Sequence, residues 1–113
     1  MKSYTNLEQS KKLAEILPIE SADIVYIPWG EDDDDNTLYT VKFKSEFIFD
    51  EDCIPCWSLA ALLRELPDTM LGKDKDGYVV MVETMGSGLT TFASNPIDAC
   101  YEMIIKLHEQ KLL

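Results

Sequence analysis

Basic residues are scarce in this chain: ten lysines and arginines stand against 21 aspartates and glutamates, giving a formal net charge of −11 at pH 7. Binding to nucleic-acid backbones or anionic membranes draws on lysine and arginine at the protein surface. Neither is therefore an expected direct partner, and a protein with a basic surface is. Long apolar runs are missing too. Nothing approaches the roughly 20 residues that cross a bilayer, and the opening MKSYTNLEQSKK has no signal-peptide core. These absences lead to the expectation of a soluble, cytoplasmic protein. Three cysteines, an odd count, do not make a secreted disulfide framework. The single histidine, His108, leaves no imidazole pair for catalysis or metal binding.

What is present suits one ordinary domain. The chain has 113 residues, of which 46% are hydrophobic. That is too apolar for disorder and enough to bury roughly two-thirds of the unfolded surface. Thr5 and Glu8 have the spacing of a capping box, which predicts a first helix over residues 6–17, stopped by Pro18. Residues 22–27 read as a strand. Residues 38–44 alternate, with Tyr39, Val41 and Phe43 on one face, and make its hairpin partner. Residues 47–49 extend that strand or begin another. Ser58 is a good N-cap for a helix over 59–66, with Trp57 and Leu62 as its hydrophobic staple and Pro67 as its stop. Residues 78–85 are nearly continuously apolar, as in a central strand. Gly86-Ser87-Gly88 then turns the chain into a further strand, LTTFA. Asn95-Pro96 opens a last helix. The expected fold is a single α+β domain in the order α-β-β-α-β-β-α, an antiparallel sheet of about four strands with three helices on one face.

Cys53 and Cys56 form a C-x-x-C ahead of the second helix and raise the question of thiol–disulfide chemistry. Redox dithiols rely on a helix N-terminus to stabilise the thiolate. Here the cap is Ser58, five residues beyond Cys53, and Asp50, Glu51 and Asp52 set like charge beside the thiol. A structural role is the expectation, with a redox role as the alternative. Cys53, Cys56, Cys100 and His108 would add up to a zinc ligand set. However, Cys100 and His108 lie eight residues apart on one helix, about 12 Å at ~1.5 Å per residue, whereas ligands of one zinc ion sit within about 4 Å of each other. Residues 72–83 place Asp74, Asp76, Gly77 and Glu83 at EF-hand positions, but Gly72 stands where the first ligand belongs and a strand follows where a helix should. No metal or other cofactor is expected. Gly86-Ser87-Gly88 is not a nucleophile elbow, and no glycine loop cradles a phosphate.

The acid is the remaining signal. Glu31, Asp32, Asp33, Asp34 and Asp35 run together beside Trp29. As a solvated loop they keep the protein soluble. As a contact they would dock on a basic protein surface, with Trp29 as an apolar anchor. Mimicry of nucleic-acid phosphates is a further alternative, but it would want carboxylates spread along an elongated face rather than bunched.

Two segments carry a resemblance: Ile54, Pro55, Trp57, Ser58, Leu59, Leu62 and Leu63 (I-P-x-W-S-L-x-x-L-L), and Asn95, Pro96, Asp98, Ala99 and Glu102 to Ile104 (N-P-x-D-A-x-x-E-M-I), continuing to Leu107-His108-Glu109. Together with N-L-E-Q-S-K-K-L at residues 6–13, the chain resembles a group of small uncharacterised proteins encoded in phages and mobile elements of Bacteroides-like gut bacteria. The resemblance implies a bacterial or phage cytoplasmic protein. It implies no activity, cofactor or catalytic residue, and the acidic loop lies outside it.

Overall fold

The computed structural model describes residues 2–44, 52–84 and 87–113, with only the backbone described at 84 and 87. The strand expected at 47–49, Asp50 and Glu51, and residues 85 and 86 of the turn lie outside the described residues. The chain runs α1 (Leu7–Ala14), a single 3-10 turn (Ile19–Ser21), β1 (Ile24–Glu31), β2 (Thr37–Phe43), β3 (Ile54–Cys56), α2 (Leu59–Glu65), β4 (Thr69–Lys73), β5 (Tyr78–Thr84), β6 (Ser87–Ala93) and α3 (Pro96–Glu109). The α+β class and the three helices are as expected. The single four-stranded sheet is not. Two three-stranded antiparallel sheets form instead, ordered β2-β1-β3 and β4-β5-β6. Of the two extra strands, β3 pairs with β1 and β4 with β5.

Each helix starts where a short polar side chain can take an orphan N–H. Ser58 caps α2, its Oγ accepting from the Ala61 N–H. The cap is itself anchored, because the Ser58 N–H and Oγ–H both donate to the Asp23 carboxylate. Asn95 caps α3, accepting from the Asp98 N–H at 2.9 Å, with Pro96 at the first helical position. At α1 the capping box lies one residue later than the Thr5–Glu8 spacing predicts. Asn6 accepts from the Gln9 N–H at 2.8 Å, and the Gln9 side chain accepts from the Asn6 N–H at 3.0 Å. Thr5 is withdrawn from that role because it is buried and its hydroxyl is engaged elsewhere. It lies 2.7 Å from Ser10 Oγ and accepts the Trp57 backbone N–H at 3.2 Å.

The main core lies between the second sheet and the helices. Val80 and Val82 of β5 face Met103, Ile104 and Leu107 of α3, with Leu62 of α2 and Leu13 of α1 closing the sides. Fully burying such side chains contributes about 2 kcal/mol each. Trp57 enters the same cluster with no exposed surface, its indole N–H donating to Ser21 Oγ at 2.9 Å. The expected staple residues Trp57 and Leu62 are thus both in the core. The first sheet joins this body through β3 and α1. The Thr5 backbone bonds to the Trp57 carbonyl at 3.0 Å, and the Tyr26 hydroxyl donates to the Thr5 carbonyl at 2.8 Å. Among the described residues no helix is long and apolar enough to cross a membrane.

Candidate functional site

The β1–β2 hairpin carries every residue of the expected contact surface. Cross-strand pairing runs in register from Ile24↔Phe43 to Pro28↔Tyr39, then resumes at Gly30↔Leu38. Trp29 falls between, opposite no residue of β2. It is the extra residue of a β-bulge, a feature that re-aims a side chain away from the regular pleat. The indole is 66% exposed. The bulge thus presents a large aromatic side chain to solvent right beside the acidic loop.

The acidic loop is ordered by one of its own carboxylates. Asp32 accepts from the Asp34 N–H at 2.9 Å, the Asn36 N–H at 3.0 Å and the Asn36 side chain at 3.3 Å. Its backbone N–H donates to the Asn36 carbonyl at 2.9 Å, and its carbonyl accepts from Asp35 at 3.1 Å. This is an Asx-type turn. The two backbone donors, Asn36 first, hold the Asp32 carboxyl below its ordinary pKa. Asp35 takes φ 63°, the left-handed region that aspartate tolerates better than most residues. Asp32 is therefore spent on shaping the loop. Glu31, Asp33, Asp34 and Asp35 remain fully presented, all exposed, at the end of the strand that carries Trp29. Chemically, the tip offers clustered negative charge and an open indole face, a combination that suits lysine and arginine by Coulomb attraction and cation–π contact.

The cysteines occupy a different place. Cys53 and Cys56 are both buried; Cys53 immediately precedes β3 and Cys56 ends it, a strand and not a helix N-terminus, and α2 begins only after the Ser58 cap. No disulfide joins Cys53, Cys56 or Cys100. The Cys56 thiol lies 3.5 Å from Thr5 Oγ1 and donates to the Thr5 carbonyl at 3.4 Å. Burial raises its pKa, outweighing the opposite pull of the Thr5 and Ser10 hydroxyls. Cys100 sits in the core on α3, where burial alone pushes its thiol up to about 11. His108 lies in the exposed last turn of the same helix. Among the described residues no three of histidine, cysteine, aspartate and glutamate converge as a metal cage. Residues 72–83 span the end of β4, a turn held by the Asp74 carboxylate accepting from the Asp76 and Gly77 N–H groups, and β5.

One surface was not anticipated from the sequence. Helices cover one face of the second sheet, and the opposite face exposes Met70, Met81 and Phe92. The signal for it is in β5 itself, whose Val79, Val80, Met81 and Val82 are apolar on both faces. No family model, curated protein or solved structure matches the chain.

Proposed function

We propose that the protein works without catalysis, as a cytoplasmic accessory factor of bacterial or phage origin that binds another protein through the tip of its first hairpin. The observation that carries this reading is Trp29, looped out at a bulge and 66% exposed, directly beside an ordered run of carboxylates. Fully desolvated tryptophans are the commonest anchors of protein interfaces, and a charged rim sets partner choice and encounter rate. The matching partner surface is basic, with an apolar or aromatic pocket among its lysines and arginines. Phosphate mimicry is supported less well, because the acid is gathered at one hairpin tip.

The experiment uses two variants that spare the fold. Trp29→Ala removes the anchor. Asp33→Asn/Asp34→Asn/Asp35→Asn removes charge while leaving Asp32 to hold the turn. Proteins captured from a host lysate are identified, purified and titrated calorimetrically at low and high salt. The expected result is a basic partner whose affinity falls by a factor of roughly 30 with Trp29→Ala and whose salt dependence shrinks with the triple variant. Undiminished affinity in both variants overturns the assignment.

A further inference from the structure

We propose that the open face of the second sheet is a second docking site, built for a basic amphipathic helix supplied by a partner protein. Side chains alternate across β4-β5-β6. Val80 and Val82 point to the helices, while two cross-strand rows point away from them: Met70–Met81–Thr90, and Gly72–Val79–Phe92. Met70 is 71% exposed, Phe92 52% and Met81 46%. An antiparallel sheet with one face in water ordinarily alternates apolar and polar side chains; here the outward row is apolar as well, and among the described residues it stays exposed. Methionine suits a surface that must adapt to an incoming side chain, because its thioether chain is flexible and polarisable.

The face has a socket. A Cβ on Gly72 would meet nothing within 4 Å. The space left above it, with Met70, Val79 and Met81 as walls, is a hollow of about 210 Å³. That is room for one large apolar side chain. Dimensions select the occupant. The five residues of β4 extend about 17 Å, and three strands span about 10 Å between outer axes. A helix of about 12 residues is ~18 Å long and ~10 Å across. The 14-residue α3 already does this on the other face. A second copy of the chain fits worse. Stable dimers cover about 800 Å² on each partner, well beyond this small sheet, and two chains of charge −11 repel.

Charge sets the sign of the helix. Glu83 is the single charged side chain in the outward register of the three strands among the described residues. At the rim of the hollow stand Asp74 and Lys73, the latter with its ammonium drawn over the Tyr78 ring, 5.9 Å from the centroid. Carboxylates therefore bracket the apolar patch at both ends, and the fitting ligand has lysines or arginines flanking an apolar stripe.

The probe is a fluorescein-labelled 14-residue peptide of leucine and lysine, with leucines spaced i, i+3, i+4 and i+7, followed by anisotropy. Its control replaces every lysine by glutamate. The wild-type protein should bind the lysine peptide saturably and the glutamate peptide at least about tenfold more weakly. Gly72→Ile fills the hollow and should weaken binding about tenfold, as should Met70→Lys, which alters a side chain too exposed to matter for folding. The Trp29→Ala variant combined with the three Asp→Asn changes should bind within about twofold of wild type. Equal binding by wild type, Gly72→Ile and Met70→Lys overturns the proposal, as does loss confined to the hairpin variant. A concentration-dependent dimer abolished by Gly72→Ile would also overturn it, by giving the face to a second copy.

Discussion

A Thr5→Val substitution keeps the shape of the side chain and removes one hydroxyl. That hydroxyl accepts the Trp57 backbone N–H at 3.2 Å and lies 2.7 Å from Ser10 Oγ, with Thr5 and Ser10 both fully buried. Valine leaves the Trp57 N–H without that acceptor, a cost of about 1–3 kcal/mol. Ser10 Oγ loses its 2.7 Å partner and is left with the Cys56 thiol and the longer contact to the Thr5 carbonyl at 3.5 Å, a further loss of roughly 0.5–1.5 kcal/mol. The expected loss is about 2–4 kcal/mol, or a urea midpoint lowered by roughly 1–2 M. Thr5→Ser keeps the hydroxyl and gives up one methyl, about 1 kcal/mol, so it should be the milder change. Urea unfolding followed by circular dichroism measures both. A cycle with Ser10→Ala isolates the contact between the two hydroxyls: the double variant should lose less than the sum of the singles, by at least about 0.5 kcal/mol. Were Thr5 a simple N-cap, serine would be neutral there and Ser10 uncoupled. Strict additivity, or a Thr5→Val protein within about 0.5 kcal/mol of wild type, would refute the reasoning.

Gly77→Ala should cost about 1–3 kcal/mol, because its Cβ would lie 2.5 Å from the Ala93 carbonyl oxygen of the partner strand. Gly72→Ala, with open space around it, should stay within about 0.5 kcal/mol. Equal urea midpoints for the two variants would sink that contrast. Asp98 makes acid stability measurable: partial burial raises its pKa, but Lys2, Gln9 and Asn95 more than offset this and hold it below the ordinary carboxylate range. A depressed folded pKa gives stability that is full above the unfolded value near ~3.9 and lost as pH falls through the folded one. Wild type should therefore exceed Asp98→Asn at pH 6, and the gap should close as pH drops below about 4; a constant gap would contradict it. Cys56 and Cys100, both buried with raised pKa values, should resist a thiol-specific reagent at pH 8 until denaturant is added, and prompt labelling of Cys56 in native buffer would count against its structural reading.

What was legible in the sequence was local. Ser58 and Asn95-Pro96 announce their helices because the cap and the first turn lie within a few residues of each other. Thr5 and Asn6 show where such reading fails. Each is followed three residues later by a side chain able to complete a capping box, Glu8 or Gln9, and the choice is made by Trp57 and Cys56, more than 50 positions away. β3 and β4 fail for the same reason. Ile-Pro-Cys has no strand pattern, and its proline is tolerated because β3 takes the edge position beside β1. Thr69–Lys73 lacks alternation and is a strand only because β5 pairs with it. The sequence marks Trp29 as an apolar anchor beside the acidic run, but the bulge that exposes it is a property of register. Asp32 looked like one more charge in a run, and its task in the turn appears only once the loop closes on Asn36.

The two proposed surfaces share one design, and that makes the reading testable kinetically. Each sets an apolar contact, Trp29 or the Gly72 hollow, beside carboxylates on a chain whose acidic residues outnumber its basic ones 21 to 10. Long-range attraction of that kind acts on encounter, and desolvated apolar contact acts on residence. For a basic partner, neutralising Asp33, Asp34 and Asp35 should lower the association rate and flatten its salt dependence with little change in dissociation. Trp29→Ala should do the reverse, raising the dissociation rate about tenfold or more at nearly constant association. Stopped-flow measurements at two ionic strengths separate the two. If charge removal instead sped dissociation and left association untouched, the carboxylates would be making short, desolvated ion pairs inside the interface. The acidic run would then be a contact surface in its own right, and Trp29 merely its neighbour.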